Sequence, residues 1–251
     1  MKKAVWKNIA QFLAAILFLF AVWGIAYAIA GNALLVPALG DCLREVGVLL
    51  ADGGFWSAFF HTLLRVLFAF LPAFVLAVGF ALVAYLYPAF GGFFAPIVSV
   101  LRSTPTLAVL LIILVWSGAG VAPVTVAFLS LFPALYASMC AAFLQVDEKL
   151  VEMSRVYRVP TRVRITRLYL PSIAPYALKE SCAAVAFALK LVISAEVLAR
   201  TARSLGGMMQ DAKTYMEMPT LFALVCVTVL AGMALEGLGA LSARWLERRK
   251  V

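Results

Sequence analysis

The sequence predicts an all-α membrane protein with six transmembrane helices. Three observations carry that expectation. The mean hydropathy is +1.03, and charged residues are 13% of a chain that is 65% hydrophobic. Soluble domains hold about a quarter charged residues, so water is not the solvent for most of this surface. Apolar runs long enough to cross a bilayer recur along the chain. The basic residues that give a net charge of +9 gather in the segments between those runs, where they set membrane orientation. In that setting the positive charge does not imply nucleic acid.

The spans follow in order. Ile9 to Ala30 is apolar and flanked by Lys2, Lys3 and Lys7. It is longer than a signal-peptide core and lacks a clear cleavage site, so it reads as a retained first span with its N-terminus inside. Gly31 to Trp56 is amphipathic, with Asp41, Arg44, Glu45 and Asp52, which suits an outer loop carrying a short surface helix. Phe59 to Tyr87 is the second span, longer than needed and therefore tilted or partly interfacial. Pro88 to Arg102 turns on "PAFGG". A third span starts near Pro96, continues through Leu107 to Trp116, and is broken by "SGAGVAP". Val124 to Leu144 is the fourth, Tyr176 to Ala199 the fifth and Thr220 to Leu241 the sixth.

Six spans place both termini on one side. The same parity puts the 88–102 segment and the polar insert 145–171 on that side. There lie Lys2, Lys3, Lys7, Arg102, Lys149, the insert's arginines, Arg244, Arg248, Arg249 and Lys250. The opposite side holds Arg44, Arg200, Arg203 and Lys213, with acidic residues near them. This asymmetry predicts cytoplasmic termini. Cys42, Cys140, Cys182 and Cys226 form no CxxC pair, and three of them lie in apolar runs. They read as small core hydrophobes rather than metal ligands or disulfide partners.

The insert reads as two short amphipathic helices. Asp147 caps the first, Glu148 favours its positive end, and Leu150, Met153 and Tyr157 fall on one stripe. Val159 precedes Pro160, which disfavours helix there. Pro160 suits the start of a second helix, which runs to about Leu170 and ends at Pro171. Two readings are open on patterning alone: a solvated loop whose arginines enforce topology, or a helical element offered to a partner's groove.

The insert also resembles the "EAA" segment of binding-protein-dependent ABC importer permeases, with its pattern E-A-A, three residues, G, nine residues, I-x-L-P. Glu152, Met153 and Ser154 hold the first three places, Arg158 stands where the glycine would be, and Leu168, Leu170 and Pro171 complete it. A glycine there permits a positive φ. An arginine does so only at a cost, so Val159-Pro160 is expected to supply the break instead. "LRSTPTLAVLLIILVWSG" (Leu101 to Gly118), "KLVISAEVL" (Lys190 to Leu198) and "GGMMQDAKTY" (Gly206 to Tyr215) resemble the nitrate, sulfonate and taurine branch, in family order. The likeness covers roughly residues 57 to 245.

The resemblance implies a single transmembrane domain over residues 1–251, with its core at 57–245 and a coupling-helix pair at 145–171 between spans four and five. Glu152, Met153, Ser154, Tyr157, Arg158, Leu168, Leu170 and Pro171 become candidates for docking ABC ATPase subunits. An extracytoplasmic substrate-binding protein and a second permease copy, identical or paralogous, are the other implied partners. The location implied is the bacterial inner membrane. The implied substrate is a small anion such as a sulfonate, taurine or nitrate, or a vitamin precursor. ATP is expected on the partner, since this sequence has no Walker-type glycine loop, and it shows no nucleophile elbow or His-Glu-x-x-His motif. No cofactor is expected.

Lys190 and Glu196 lie inside the fifth span. Ionisable groups in a membrane face the bundle interior, a partner or a water-filled path. Six residues along a helix is about 600°, so the two do not share a face. Each is either structurally paired, Glu196 with Arg200 one turn on, or part of a translocation path. Arg65 is expected to snorkel to the outer interface, and His61, lacking nearby ligands, is not a metal site. A rival reading is a stand-alone secondary transporter or channel. Such a protein should show inverted repeats, and no convincing repeat is visible.

Overall fold

A computed structural model describes residues 14, 17–18, 20–32 and 35–248, with side chains up to residue 237. Among these residues every regular element is a helix. In chain order they are α1 (Phe20–Ala30), α2 (Leu39–Ala51), α3 (Gly53–Leu86), α4 (Pro88–Ser103), α5 (Thr106–Phe143), α6 (Glu148–Val156), α7 (Thr161–Arg164), a π turn (Ile165–Tyr169), α8 (Leu170–Ala199), α9 (Leu205–Thr214) and α10 (Met218–Arg248). Four helical stretches are long and apolar enough to cross a membrane: Gly53–Leu86, Thr106–Phe143, Thr161–Ala199 and Met218–Gly237. The expected first span begins outside the described residues.

The bundle centre is built from α3, α5 and α8. Lipid tails are as apolar as leucine, so helices in a bilayer associate through close packing of small residues. Ala69, Ala73, Ala77 and Ala81 recur one per turn on α3, and all are fully buried. Ala127 on α5 and Ala186 and Ala188 on α8 are buried to the same degree. Larger side chains fill the insert end, where Tyr85, Phe143 and Tyr169 pack ring on ring. α10 lies against α8 and carries α2 on its flank, with Thr220 donating to Glu45 at 3.2 Å. α1 meets α10 through Trp23 and Phe222, whose ring centroids lie 5.0 Å apart.

Several expected boundaries move. "PAFGG" is not a turn: Tyr87 alone makes the reversal, and Pro88 opens α4, the position where a missing N–H costs nothing. Phe90 and Phe94 then stack beside Phe80 of α3 and hold α4 on the bundle. The expected third span is interrupted, because α4 ends at Ser103 and α5 restarts at Thr106. The residue before Pro105 is held extended by the proline ring.

The predicted break in "SGAGVAP" is present at Gly118, with φ 73° and ψ 173°, a region open essentially to glycine alone. It folds α5 back on itself. Leu110 before the break shares a small buried cluster with Ala122 and Val126 after it, although a straight helix would hold Leu110 and Val126 about 24 Å apart.

The second insert helix does not end at Pro171. It runs without interruption from Thr161 through the π turn into α8. Pro171 has no N–H, and its ring crowds the preceding turn. A local π widening accommodates it without ending the helix.

The alanine stripe yields a prediction. Ala73→Leu should lower the thermal midpoint of the detergent-solubilised chain, by about 1–3 kcal/mol of stability. The same change at exposed Val75 should leave the midpoint within error.

Candidate functional site

The polar insert folds as its local signals require. The Asp147 side chain accepts from Lys149 N at 2.9 Å and starts α6. Its inward face is Val151 and Ser154, both buried, with the Ser154 hydroxyl donating to Val151 O at 2.6 Å. Its outward face carries Leu150, Met153, Val156 and Tyr157. Met153 is 53% exposed and Tyr157 76%, an apolar stripe in the most polar segment of the chain.

The end of α6 is a Schellman motif. Val159 N donates to Ser154 O and Arg158 N to Arg155 O, both at 2.9 Å, and Arg158 has φ +51°. The expectation that Val159-Pro160 would replace the glycine's turn is therefore corrected: Arg158 itself adopts the left-handed conformation. The two hydrogen bonds to otherwise orphaned carbonyls hold it there. Arg200 ends α8 in the same conformation, with φ +49°.

The candidate docking residues divide by exposure. Glu152, Met153, Tyr157, Arg158, Leu170 and Pro171 are exposed, Leu168 is half-buried and Ser154 faces inward. Leu168, Leu170 and Pro171 lie on the continuous stretch of α7, the π turn and α8, whereas Glu152, Met153, Ser154, Tyr157 and Arg158 belong to α6 and its helix end.

Inside the bundle the structure separates Lys190 from Glu196. Glu196 has no exposed surface. Arg65 Nη1 donates to its Oε1 at 2.9 Å, Gly206 N to Oε2 at 3.2 Å, and the Thr62 hydroxyl lies 3.0–3.1 Å from both oxygens. Thr62 Oγ1 in turn accepts from Leu205 N at 3.0 Å. The expected Glu196–Arg200 pair is thus replaced by Glu196–Arg65. Arg200 has left the helical path, while Arg65 on α3 reaches across instead of snorkelling, its second nitrogen donating to Ala202 O at 3.3 Å. Gly206 is required here. A Cβ would clash with that of Glu196 and lie 2.6 Å from Val197 N.

Lys190 lines a cavity of about 400 Å³ between α8 and α10, with Ser194, Met209, Thr228, Met233 and Glu236. Among the described residues no ion pair joins Lys190 to a carboxylate; Arg65–Glu196 is the pair found. Glu236 was missed from sequence, though an acid isolated in an apolar run was the available signal.

Comparison with known proteins decides what kind of chain this is. The family model for binding-protein-dependent transport system inner membrane components matches residues 74–251. The chain belongs to that family. The permease is 27% identical over 210 residues to a probable ABC transporter permease protein of Brucella melitensis, covering 83% of this chain and 85% of that one. It is 24% identical over 195 residues to the taurine transport system permease protein TauC of Escherichia coli, covering 77% and 70%. Its fold is similar to a chain of the inward-facing MetNI methionine ABC transporter, with a TM-score of 0.65 at 16% identity over 75% of the permease and 95% of that chain.

The helix end at Arg158 yields a prediction. A non-glycine residue in the left-handed region costs about 1 kcal/mol or more. Arg158→Gly should raise the thermal midpoint of the solubilised permease by that order, and Arg158→Val should lower it.

Proposed function

We propose that this permease forms half of the translocation path of an ATP-driven importer and works by alternating access. The chain is read as one domain of six spans, with both termini cytoplasmic and the insert 145–171 as its coupling segment. The observation that carries this reading is the apolar stripe of α6, exposed on a polar segment and joined through α7 and the π turn to a spanning helix. An exposed amphipathic face is the kind of surface that enters a partner's groove. ATPase subunits would take it there, with Glu152, Met153, Tyr157 and Arg158 at the contact and Leu168, Leu170 and Pro171 at the root of the lever. Nucleotide chemistry would belong to those subunits, and a substrate-binding protein would deliver solute from the other side.

A pull on α7 is a pull on α8, and α8 carries Lys190. Lys190 and Glu236 are exposed on helices that otherwise suit lipid. A lone charge at the middle of a span costs about 2.5–3.5 kcal/mol on insertion scales, so this face suits a water-filled path or a second permease copy better than acyl chains. Lys190 would lower the energy of an anionic group in transit. A small sulfonate fits, and taurine in addition carries an ammonium group that Glu236 would meet. Glu196, sealed in its own network, is read as an architectural residue rather than a lining one.

The test combines assembly with uptake. Met153→Asp with Tyr157→Asp should abolish co-purification of the ATPase while the permease stays inserted. Lys190→Met should retain the ATPase but cut uptake of a labelled small sulfonate into proteoliposomes by about tenfold or more, with Lys190→Arg retaining more. ATPase recovered at wild-type level by the double variant would sink the docking assignment. Full uptake by Lys190→Met would remove Lys190 from the path.

A further inference from the structure

A separate cavity of about 430 Å³ lies where α3 leaves the bundle and meets the insert. Its walls include Tyr85 and Tyr87 from the end of α3, Arg155 from α6, Thr161 and Arg164 from α7, and Tyr169 from the π turn. Two arginines and three tyrosines therefore line one space, and no carboxylate is among its lining residues, although Glu148 is near enough to Tyr85 to act on it electrostatically. Among the described residues neither arginine is in an ion pair.

The packing makes the cavity a built feature. Tyr169 is buried and meets Tyr85 edge to face, with centroids 5.4 Å apart. Arg164 Nη2 donates to Thr161 Oγ1 at 3.1 Å. Arg164 Nε is buried and meets no acceptor. A buried donor left unmet is costly, and native proteins rarely tolerate it without a ligand, ion or water.

We infer that this cavity binds an oxyanion of the phosphate type, presented by the headgroup of an anionic phospholipid or as free phosphate. A guanidinium fork is matched in shape to phosphate oxygens, and phenol hydroxyls add neutral donors. The position suits the lipid source. Tyrosines at span ends sit at headgroup level, and basic pockets between spanning helices hold anionic headgroups. A bound phosphate would bridge α3, α6 and α7, tying the insert to the bundle at the root of α8. The site is distinct from the α8–α10 cavity and does not depend on what passes there.

The experiment uses the purified full-length chain in neutral detergent. Dioleoylphosphatidylglycerol and dioleoylphosphatidylcholine are titrated and read by native mass spectrometry, and inorganic phosphate is titrated by calorimetry. Saturable binding of phosphatidylglycerol well above phosphatidylcholine assigns the lipid source, and saturable binding of phosphate assigns the free ion. In either case Arg164→Gln should lower affinity about tenfold. Arg155→Gln should weaken it too, and that side chain is exposed, so the change leaves the fold intact. Arg167→Gln, outside the cavity, should change nothing. Unaltered affinity in both the Arg155 and Arg164 variants overturns the inference. So does an equal loss in Arg167→Gln, or the absence of binding by both anions.

Discussion

One buried carboxylate organises the bundle. Glu196 sits on a spanning helix with no exposed surface, where an unpaired charge would be untenable. Its satisfaction recruits Thr62 and Arg65 from α3 and the Gly206 amide at the start of α9. That requirement propagates. Gly206 must lack a side chain to bring α9 close enough. Ser204 caps α9 by accepting from Gly207 N at 2.8 Å and donates to Thr201 O at 2.7 Å. The Thr201 hydroxyl then reaches Ala119 O at 2.8 Å, the residue after the Gly118 break. A single chain of hydrogen bonds thus fixes α3, α5, α8 and α9 at one end. At the other end, packing of alanines and aromatic rings serves the same purpose without charge.

The contrast between the two ends bears on function. The Glu196 end is polar and tied by several hydrogen bonds, and its partners could not separate without breaking a buried pair. On the proposed reading the insert end would act as a lever: α6 carries an exposed apolar stripe, and α7 passes into α8 through a π turn. Motion applied at α6 would pivot α8 about the Glu196 network. On the proposed reading that swing displaces Lys190, which lies between pivot and lever.

Much of this was legible in the sequence where the signal was local. Hydropathy located the apolar stretches, Asp147 marked the start of α6, and the stretch "SGAGVAP" marked the break in α5. Contacts between distant parts were not legible. Glu196 pairs with Arg65, 131 positions away, and the nearer Arg200 was the natural candidate until the left-handed helix end removed it. Proline signals also misled. Pro88 read as part of a turn and Pro171 as a stop, yet one opens a helix and the other is absorbed by a π turn, because a proline's cost depends on whether its missing N–H was needed. For the candidate site, the exposed stripe on α6 was visible in the pattern, but the burial of Ser154 and the face shared by Lys190 and Glu236 required packing between helices.

The most direct measurement is a double-mutant cycle on Arg65 and Glu196, using Arg65→Met, Glu196→Leu and the pair, with unfolding followed in detergent. Each single change leaves a charge without its partner and should destabilise by about 3–5 kcal/mol. The double change removes both charges and should cost much less than the sum, with a coupling energy above about 1.5 kcal/mol. Effects that add within about 0.5 kcal/mol would contradict the account: the pair would then be incidental to the fold rather than the constraint on which it turns.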